Sequence, residues 1–206
     1  NYTISGISVD RSINYAYSGL FGYNTGDISN LNVLINDDIF TTAQNVHIGA
    51  IAGYNRGTIS ECIVNGSIYT SPLSTFVYAG GIAGYNAGTI VDCDSNMEIY
   101  AEGSTVYAGG VTGENAGLIE RTSSSGSVVV DDSLFAYAGG FTGNNTATIK
   151  NCYSRGNATV NISDTAFMMG VGGFAGRIEG GTVSNCYSTG KPVVSTASGA
   201  CLLTQA

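Results

Sequence analysis

The chain has 206 residues, of which 11% are charged, a formal net charge of −8 and a pI of about 4.3. Nucleic acids and anionic membranes are bound mainly through neutralisation of phosphate, so a chain with 7 basic residues is expected to bind neither. No apolar run is long enough to span a membrane. The sequence does not open with a positively charged segment followed by an apolar run, so a signal peptide is not expected in it.

A block of related sequence recurs along the chain. Its copies are AYSGLFGYNTGDISNL at 16–31, HIGAIAGYNRGTISEC at 47–62, YAGGIAGYNAGTIVDC at 78–93, YAGGVTGENAGLIERT at 107–122, YAGGFTGNNTATIKNC at 137–152 and GVGGFAGRIEGGTVSNC at 170–186. A glycine shared by all copies recurs at intervals of 29–33 residues, at Gly22, Gly53, Gly84, Gly113, Gly143 and Gly176. The chain is therefore a repeat array.

The repeat divides the chain into units. A partial first unit covers 1–15, and the others cover about 16–46, 47–77, 78–106, 107–136, 137–169 and 170–206. The opening YTISGISVD aligns with GTISECIVN at 57–65, which places Ile4 in the column of Ile59 and Ile7 in that of Cys62. The chain thus starts partway through a unit, and we expect it to be part of a longer protein.

Each unit is typical of strands and turns, because β-branched and aromatic residues alternate with small ones and Gly or Asn interrupts them every few residues. A unit of this size cannot bury its apolar side alone, so the copies are expected to stack. Propeller blades need about 40 residues each. We therefore predict a single all-β domain, a parallel β-helix of about seven coils with about 30 residues per coil.

Stacking turns each alignment column into a ladder of equivalent residues. Two apolar columns are expected to line the interior: Leu20, Ile51, Ile82, Val111, Phe141 and Phe174, and then Ile4, Ile28, Ile59, Ile90, Ile119, Ile149 and Val183. A third column contains the cysteines Cys62, Cys93, Cys152 and Cys186, interrupted by Thr122, whose hydroxyl needs a backbone carbonyl partner. Between Cys93 and Ile99 the alternation predicts one strand.

Glycine and asparagine mark the corner between the apolar columns. We expect Gly84 and Gly88 to adopt positive φ there. An asparagine column can tolerate left-handed angles and form hydrogen bonds along the stack; its members are Asn24, Asn55, Asn86, Asn115 and Asn145. Ile178 and an extra glycine interrupt it, which predicts an irregular corner. The double glycine before Ile82 indicates a position without room for side chains against a facing strand.

The blocks GGIAGYNAGTIVDC and GLFGYNTGDISNL resemble the GLUG motif repeat, and the closest agreement is GGFAG followed by GTVSNCYSTG at 181–190. The resemblance implies a bacterial secreted or surface-anchored protein. Its relatives include adhesin-like proteins and immunoglobulin-A1-specific metallopeptidases, in which the repeats lie outside the catalytic domain. The motif assigns no ligand residues. Arg121 and Thr122 replace the asparagine and cysteine of the motif in one unit.

No residue pattern identifies a catalytic, metal or cofactor site. The metallopeptidase signature HExxH and paired zinc ligands are absent from the sequence. The single His47 occupies a tyrosine column and is interpreted as a packing residue. The cysteines are interpreted as buried thiols rather than disulfides, and Cys201 matches no column. Asp37–Asp38 and Asp131–Asp132 are interpreted as solvated loop residues, with calcium binding as the alternative.

The sequence leaves several functions open. We expect a non-enzymatic structural or adhesive module, outside the cell or on its surface, that binds a host protein or glycan or acts as a spacer. The alternative is a substrate-positioning domain of a secreted immunoglobulin-A1-type metallopeptidase. A β-helix glycan-active enzyme is a weaker alternative, with carboxylates at Glu61, Asp92, Asp94 and Glu120. Two runs of tyrosines are interpreted as rings that stack and stabilise the solenoid, with ligand binding as the alternative: Tyr23, Tyr54 and Tyr85, and Tyr153 and Tyr187. Open strand edges predict end-to-end self-association.

Overall fold

The fold is an all-β parallel solenoid with six complete coils, seen in a computed structural model that describes residues 2–5, 10–11, 15–36, 38–71, 73–162, 167–196 and 199–202. These residues contain no helix, and hence none that could cross a membrane. The predicted fold class is confirmed, with six complete coils in place of about seven.

Each coil passes through four parallel sheets in turn. Sheet 1 contains β3 (Tyr15–Ser18), β8 (Asn45–Gly49), β12 (Phe76–Gly80), β16 (Thr105–Gly109), β21 (Phe135–Gly139) and β26 (Met168–Gly172). Sheet 2 contains β4 (Phe21–Asn24), β9 (Ala52–Asn55), β13 (Ala83–Asn86), β17 (Thr112–Asn115), β22 (Thr142–Asn145) and β27 (Ala175–Ile178). Sheet 3 contains β5 (Asp27–Ser29), β10 (Thr58–Ser60), β14 (Thr89–Val91), β18 (Leu118–Glu120), β23 (Thr148–Lys150) and β28 (Thr182–Ser184).

Sheet 4 is the widest because its strands are long or occur as two short segments per coil. It contains β1 (Tyr2–Ser5), β2 (Asp10–Arg11), β6 (Leu31–Leu34), β7 (Ile39–Thr41), β11 (Ile63–Thr70), β15 (Asp94–Glu102), β19 (Ser123–Ser124), β20 (Val128–Asp131), β24 (Tyr153–Ser154), β25 (Ala158–Ile162), β29 (Tyr187–Ser188), β30 (Pro192–Thr196) and β31 (Gly199–Leu202). The last strand, β31, reverses direction and pairs antiparallel with β30. Every other strand pairing among the described residues is parallel, so β31 occupies an edge that a parallel strand would otherwise extend.

Equivalent residues lie in register from coil to coil, as the repeat predicts. Ile59 of β10 pairs with Ile28 on one side and Ile90 on the other, and the column continues through Ile119 and Ile149. The five isoleucines are buried, four of them completely. The strand predicted between Cys93 and Ile99 is also confirmed, because β15 alternates buried and outward-facing residues along its length. Burial of these columns forms one continuous apolar core.

The start of the chain has a different register from the predicted one. Ile4 pairs with Val33, and Tyr2 pairs with Leu31 of the cysteine column. The predicted alignment of Ile4 with Ile59 is therefore wrong by five residues, and Ile7 lies outside the described residues. A strand of four residues with one inward-facing isoleucine is compatible with both registers in its sequence pattern. The strand with which it forms hydrogen bonds therefore determines the register.

The interior is narrowest where the double glycines lie. A Cβ built on Gly81 would lie 2.1 Å from Ser95 Oγ and 2.2 Å from the Gly110 carbonyl oxygen. A Cβ on Gly110 would similarly approach Ser124 of the opposite sheet at 2.9 Å. The prediction that side chains have no room here is confirmed. Serine faces glycine across the core because larger residues on either side would collide.

The corner between sheets 2 and 3 is built by amides and close backbone contacts. Asn55 Nδ2 donates to Asn86 Oδ1 at 2.8 Å, and Asn86 Nδ2 donates to Asn115 Oδ1 at 2.9 Å. The predicted positive φ at Gly84 and Gly88 is wrong, because neither glycine is left-handed. Gly88 is needed for proximity instead, since a Cβ there would lie 2.1 Å from the Gly57 carbonyl oxygen of the preceding coil.

The left-handed residues lie one corner later, just before the cysteine column. Residues with φ between 47° and 58° occur there in every coil, at Asn30, Glu61, Asp92, Arg121, Asn151 and Asn185. The buried side chain that follows closes the turn: Cys93 Sγ donates to the Val91 carbonyl at 3.2 Å. Thr122 Oγ1 makes the equivalent bond to the Glu120 carbonyl at 3.1 Å, which confirms the partner predicted for this hydroxyl.

Coil 6 contains the irregular corner that the inserted glycine predicts. Gly180 adopts a φ of +75° and takes up the extra residue. Ile178, which pairs with Asn145, is 53% exposed and ends the amide ladder. The prediction is confirmed, and its cause is an apolar side chain that cannot continue a hydrogen-bonded column.

Candidate functional site

A continuous column of aromatic rings runs along the outer face of sheet 1. His47 stacks on Tyr78 with ring centroids 4.7 Å apart, and Tyr78, Tyr107 and Tyr137 follow at 5.1 Å intervals. Tyr17 lies 5.2 Å from His47 and begins the column. Five coils thus contribute one ring each, at intervals set by the spacing of parallel strands.

A second aromatic column runs beside the first on sheet 2. Tyr23, Tyr54 and Tyr85 stack at 5.1 and 4.8 Å with their ring planes nearly parallel. Rings of the two columns meet edge to face, for example Tyr78 and Tyr85 at 5.9 Å and an interplanar angle of 75°. Such geometry is favourable for aromatic quadrupoles. We call these eight rings the double aromatic ladder: Tyr17, His47, Tyr78, Tyr107, Tyr137, Tyr23, Tyr54 and Tyr85.

Gly84, within β13 just after the corner between sheets 1 and 2, brings the columns together. A Cβ on Gly84 would lie 2.4 Å from the Ile48 backbone nitrogen and 2.7 Å from the Tyr78 carbonyl oxygen. Without a side chain at this position, the two sheets turn tightly enough for Tyr78 and Tyr85 to make contact. The shared glycine of the repeat therefore positions the ladder as well as the corner.

Burial favours the uncharged forms of His47 and Tyr78 in the ladder. It lowers the pKa of His47 to about 4, so the imidazole is neutral. Burial, followed by the charge of Glu114, raises the pKa of Tyr78 to about 12. The phenol hydroxyls of Tyr54, Tyr78 and Tyr85 have no hydrogen-bond partner in the part of the chain that the structure describes. They are available as neutral donors and acceptors.

Polar residues replace tyrosine in the later coils of sheet 2. Glu114, Asn144 and Arg177 continue the column of Tyr85 in register. Burial is the largest influence on Glu114 and raises its pKa. The Arg177 guanidinium lies over the Tyr137 ring at 5.3 Å and forms an ion pair with Glu179 at 2.9 Å. The aromatic surface therefore ends in a charged border.

The five tyrosines selected from the sequence lie in two separate places. Tyr23, Tyr54 and Tyr85 belong to the double aromatic ladder on sheet 2. Tyr153 and Tyr187 stack at 5.4 Å on sheet 4, with Arg155 over the Tyr153 ring at 5.0 Å. These groups occupy different sheets and do not form one site.

In the other column of the ladder, the sequence led to an interpretation of His47 alone, as a packing residue in a tyrosine column. Tyr17, His47, Tyr78 and Tyr107 remain partly exposed, and each contacts a ring in a neighbouring coil. The signal for them was available, because an aromatic residue precedes each Gly-Tyr-Asn corner by six or seven positions. The sequence pattern does not give the angle between sheets 1 and 2, and this angle places both columns on one surface.

Three of the four carboxylates considered for catalysis, Asp92, Asp94 and Glu120, contact neighbouring side chains. Arg121 forms a bidentate pair with Asp92 at 2.7 and 2.8 Å, and this hydrogen bond lowers the pKa of Asp92. Glu120 pairs with Arg121 and Lys150, and Asp94 accepts a hydrogen bond from Ser123. Glu61 is one of the left-handed corner residues. The Asp92–Arg121, Glu120–Lys150 and Asp94–Ser123 contacts join adjacent coils.

Side chains of metal-ligating types and free thiols occur among the described residues. The described residues include no group of three or more His, Cys, Asp or Glu side chains that could hold a metal. Asp131 accepts a hydrogen bond from Asn161, and Asp37 lies outside the described residues. Cys62, Cys93, Cys152 and Cys186 are free thiols, and burial raises the pKa of Cys152 to about 12. The side chain of Cys201 is not described; its backbone belongs to β31.

Comparison with known proteins agrees with the repeat and the fold. The GLUG motif matches residues 169–194. The crystal structure of a candidate immunoglobulin A1 protease from Bacteroides ovatus, at 1.30 Å resolution, is similar with a TM-score of 0.62 and 20% sequence identity. The similarity covers 100% of this chain and 66% of that chain. No curated protein matches the sequence. The chain therefore contains a GLUG motif within a β-solenoid similar to that of the Bacteroides ovatus protein.

Proposed function

We propose that the chain is a non-catalytic binding module of a secreted or surface-attached bacterial protein. In this role the solenoid is a rigid support that presents the double aromatic ladder to a host protein or glycan. The observation that carries the proposal is the ladder itself, a surface of partly exposed rings with unpartnered hydroxyls at Tyr54, Tyr78 and Tyr85. Clustered aromatic residues with polar tips are typical of binding surfaces.

The chemistry of the rest of the chain favours binding over catalysis. Three of the four carboxylates that could act as acid and base, Asp92, Asp94 and Glu120, are paired with Arg, Ser and Lys across coils. General acid–base hydrolysis of a glycan requires two carboxyl groups held free on either side of the scissile bond. The GLUG resemblance supports an extracellular location, because its relatives are secreted or surface proteins.

The experiment measures binding of the 206-residue chain to immobilised host glycoproteins, with mucin and immunoglobulin A1 as probes. The double variant Tyr54→Phe/Tyr85→Phe keeps the ring stacking and removes two hydroxyls, so we expect binding at least about tenfold weaker. The matched control Tyr153→Phe/Tyr187→Phe removes two hydroxyls from sheet 4 and should leave affinity unchanged. Equal weakening by both variants, or binding to neither probe, would contradict the proposal.

A second candidate function is substrate positioning within an immunoglobulin A1 protease. The specific observation in its favour is the similarity of the whole chain to part of the Bacteroides ovatus protein. This candidate predicts that immunoglobulin A1 binds the ladder and mucin does not. Selective capture of immunoglobulin A1 by the wild-type chain, lost in Tyr54→Phe/Tyr85→Phe, would favour it over general adhesion.

A further inference from the structure

A groove lies beside the double aromatic ladder on sheet 1. Its volume is about 350 Å³, and it is lined by Asn45, His47, Phe76 and Tyr78. Phe76 of β12 pairs in register with Asn45 of β8, and Tyr78 pairs with His47 two residues further along the same strands. The groove lies where the column steps from the long Phe76 to the shorter Asn45. Its volume falls within the usual range for small-ligand sites.

Phe76 differs from the ladder rings because no aromatic neighbour covers it. It is flanked in register by Asn45 and Thr105, and among the described residues no ring stacks on it. Its side chain is 46% exposed. The ladder rings lie 4.7 to 5.2 Å from their neighbours, so their faces are covered and only edges and hydroxyls point outward. A planar apolar ligand face can therefore pack on Phe76 but not between ladder rings.

The groove provides neutral polar groups around this apolar ring. The Tyr78 hydroxyl has no hydrogen-bond partner among the described residues. Asn45, which has an interaction partner of its own, borders the same space. The low pKa of His47 keeps its imidazole uncharged above about pH 4. The protein has a net charge of −8, which disfavours an anionic ligand. An uncharged ligand with one apolar face and several hydroxyls fits these groups.

We propose that this groove binds a neutral pyranose unit of an extended β-linked glycan, with its apolar face on Phe76 and its hydroxyls toward Tyr78. Further sugars run along the solenoid axis, where hydroxyl-bearing tyrosine rings recur every 4.8 to 5.1 Å. An extended β-linked chain advances by a similar length per sugar. The inference rests on the proposed function, because it names the ligand class for the surface assigned there.

The test is titration of the whole chain with cellotetraose and chitotetraose, two uncharged β-1,4-linked tetramers, by calorimetry and saturation-transfer NMR. We expect Phe76→Ala to weaken binding of the better ligand about tenfold or more. Tyr78→Phe should weaken it about threefold through loss of one hydrogen bond. Phe135→Ala is the matched control, because Phe135 occupies the same column two coils away and is also exposed.

Each outcome decides the inference. Binding that is weakened by Phe76→Ala and unchanged by Phe135→Ala supports it. The inference is overturned if neither tetramer binds, or if Phe76→Ala and Phe135→Ala have equal effects. It is also overturned if apolar peptides are the sole competitors that displace a bound tetramer. Thermal melting of each variant shows whether the fold is retained. If mucin or immunoglobulin A1 still binds through Tyr54 and Tyr85 while no tetramer does, the ligand class is wrong and the proposed function stands.

Discussion

Coil 3 and coil 6 have closely related sequences but differ in burial. In coil 3, Ile82, Ile90 and Asn86 are fully buried between neighbouring coils. In coil 6 the equivalent residues are Phe174, Val183 and Ile178; Val183 is 36% exposed, and an open hollow of about 380 Å³ lies beside them. Coil 6 nevertheless contains the GLUG motif match. A repeat sequence therefore specifies the shape of a coil, whereas its neighbours determine how much of it is buried.

The largest contrast is expected at the corner glycines. A Cβ on Gly88 would lie 2.1 Å from the Gly57 carbonyl oxygen, whereas a Cβ on Gly26, in the same column of coil 1, would meet nothing within 4 Å. We expect Gly88→Ala to lower the free energy of unfolding by about 3 kcal/mol and Gly26→Ala to change it by less than about 0.5 kcal/mol. Urea denaturation followed by circular dichroism measures both, and equal losses would break the comparison.

The pKa of His47 reports on burial of a side chain between two adjacent coils. Its pKa is about 4 in the folded protein, because burial disfavours the charged imidazole, and about 6.5 in an unfolded chain. The unfolded chain therefore binds a proton more readily, so stability is complete above about pH 6.5 and falls as the pH drops toward 4. Between pH 7 and pH 4.5 we expect a loss of about 2 kcal/mol.

His47→Tyr is the matched variant for this measurement, because tyrosine occupies the same column in coils 1, 3, 4 and 5. It removes the titrating group and keeps an aromatic ring in the ladder. We expect its urea stability to decrease between pH 7 and pH 4.5 by about 2 kcal/mol less than that of the wild type. Identical pH dependence in both proteins would show that the imidazole is not desolvated.

The asparagine ladder should show a smaller difference between interior and end. Asn86 bonds to Asn55 and Asn115, whereas Asn24 bonds to Asn55 alone among the asparagines. Replacement by alanine should therefore cost about 2 kcal/mol at Asn86 and about 1 kcal/mol at Asn24, because fewer buried amide groups lose a partner at the end. Thermal and urea unfolding of both variants measures the difference. A larger loss at Asn24 would contradict the role of neighbouring coils.

The repeat made the core predictable but left the surface less so. Ile59, Ile90 and Ile119 could be placed in one ladder because identical letters recur at one period. The division of each coil into four sheets and the contact between Tyr78 and Tyr85 could not be predicted. They depend on the angle between sheets 1 and 2, which the close backbone contact at Gly84 permits. Ile4 was misplaced because a short strand has too few residues to fix its register.

The stacked tyrosines also give the molecule an optical property. The sequence contains 13 tyrosines and no tryptophan, so its near-ultraviolet emission comes from phenol rings alone. In the ladder these rings lie about 5 Å apart and nearly parallel, a distance at which absorbed light energy passes readily from one ring to the next. The folded protein thus carries an internal chain of identical chromophores, whose coupling depends on the coils remaining in register.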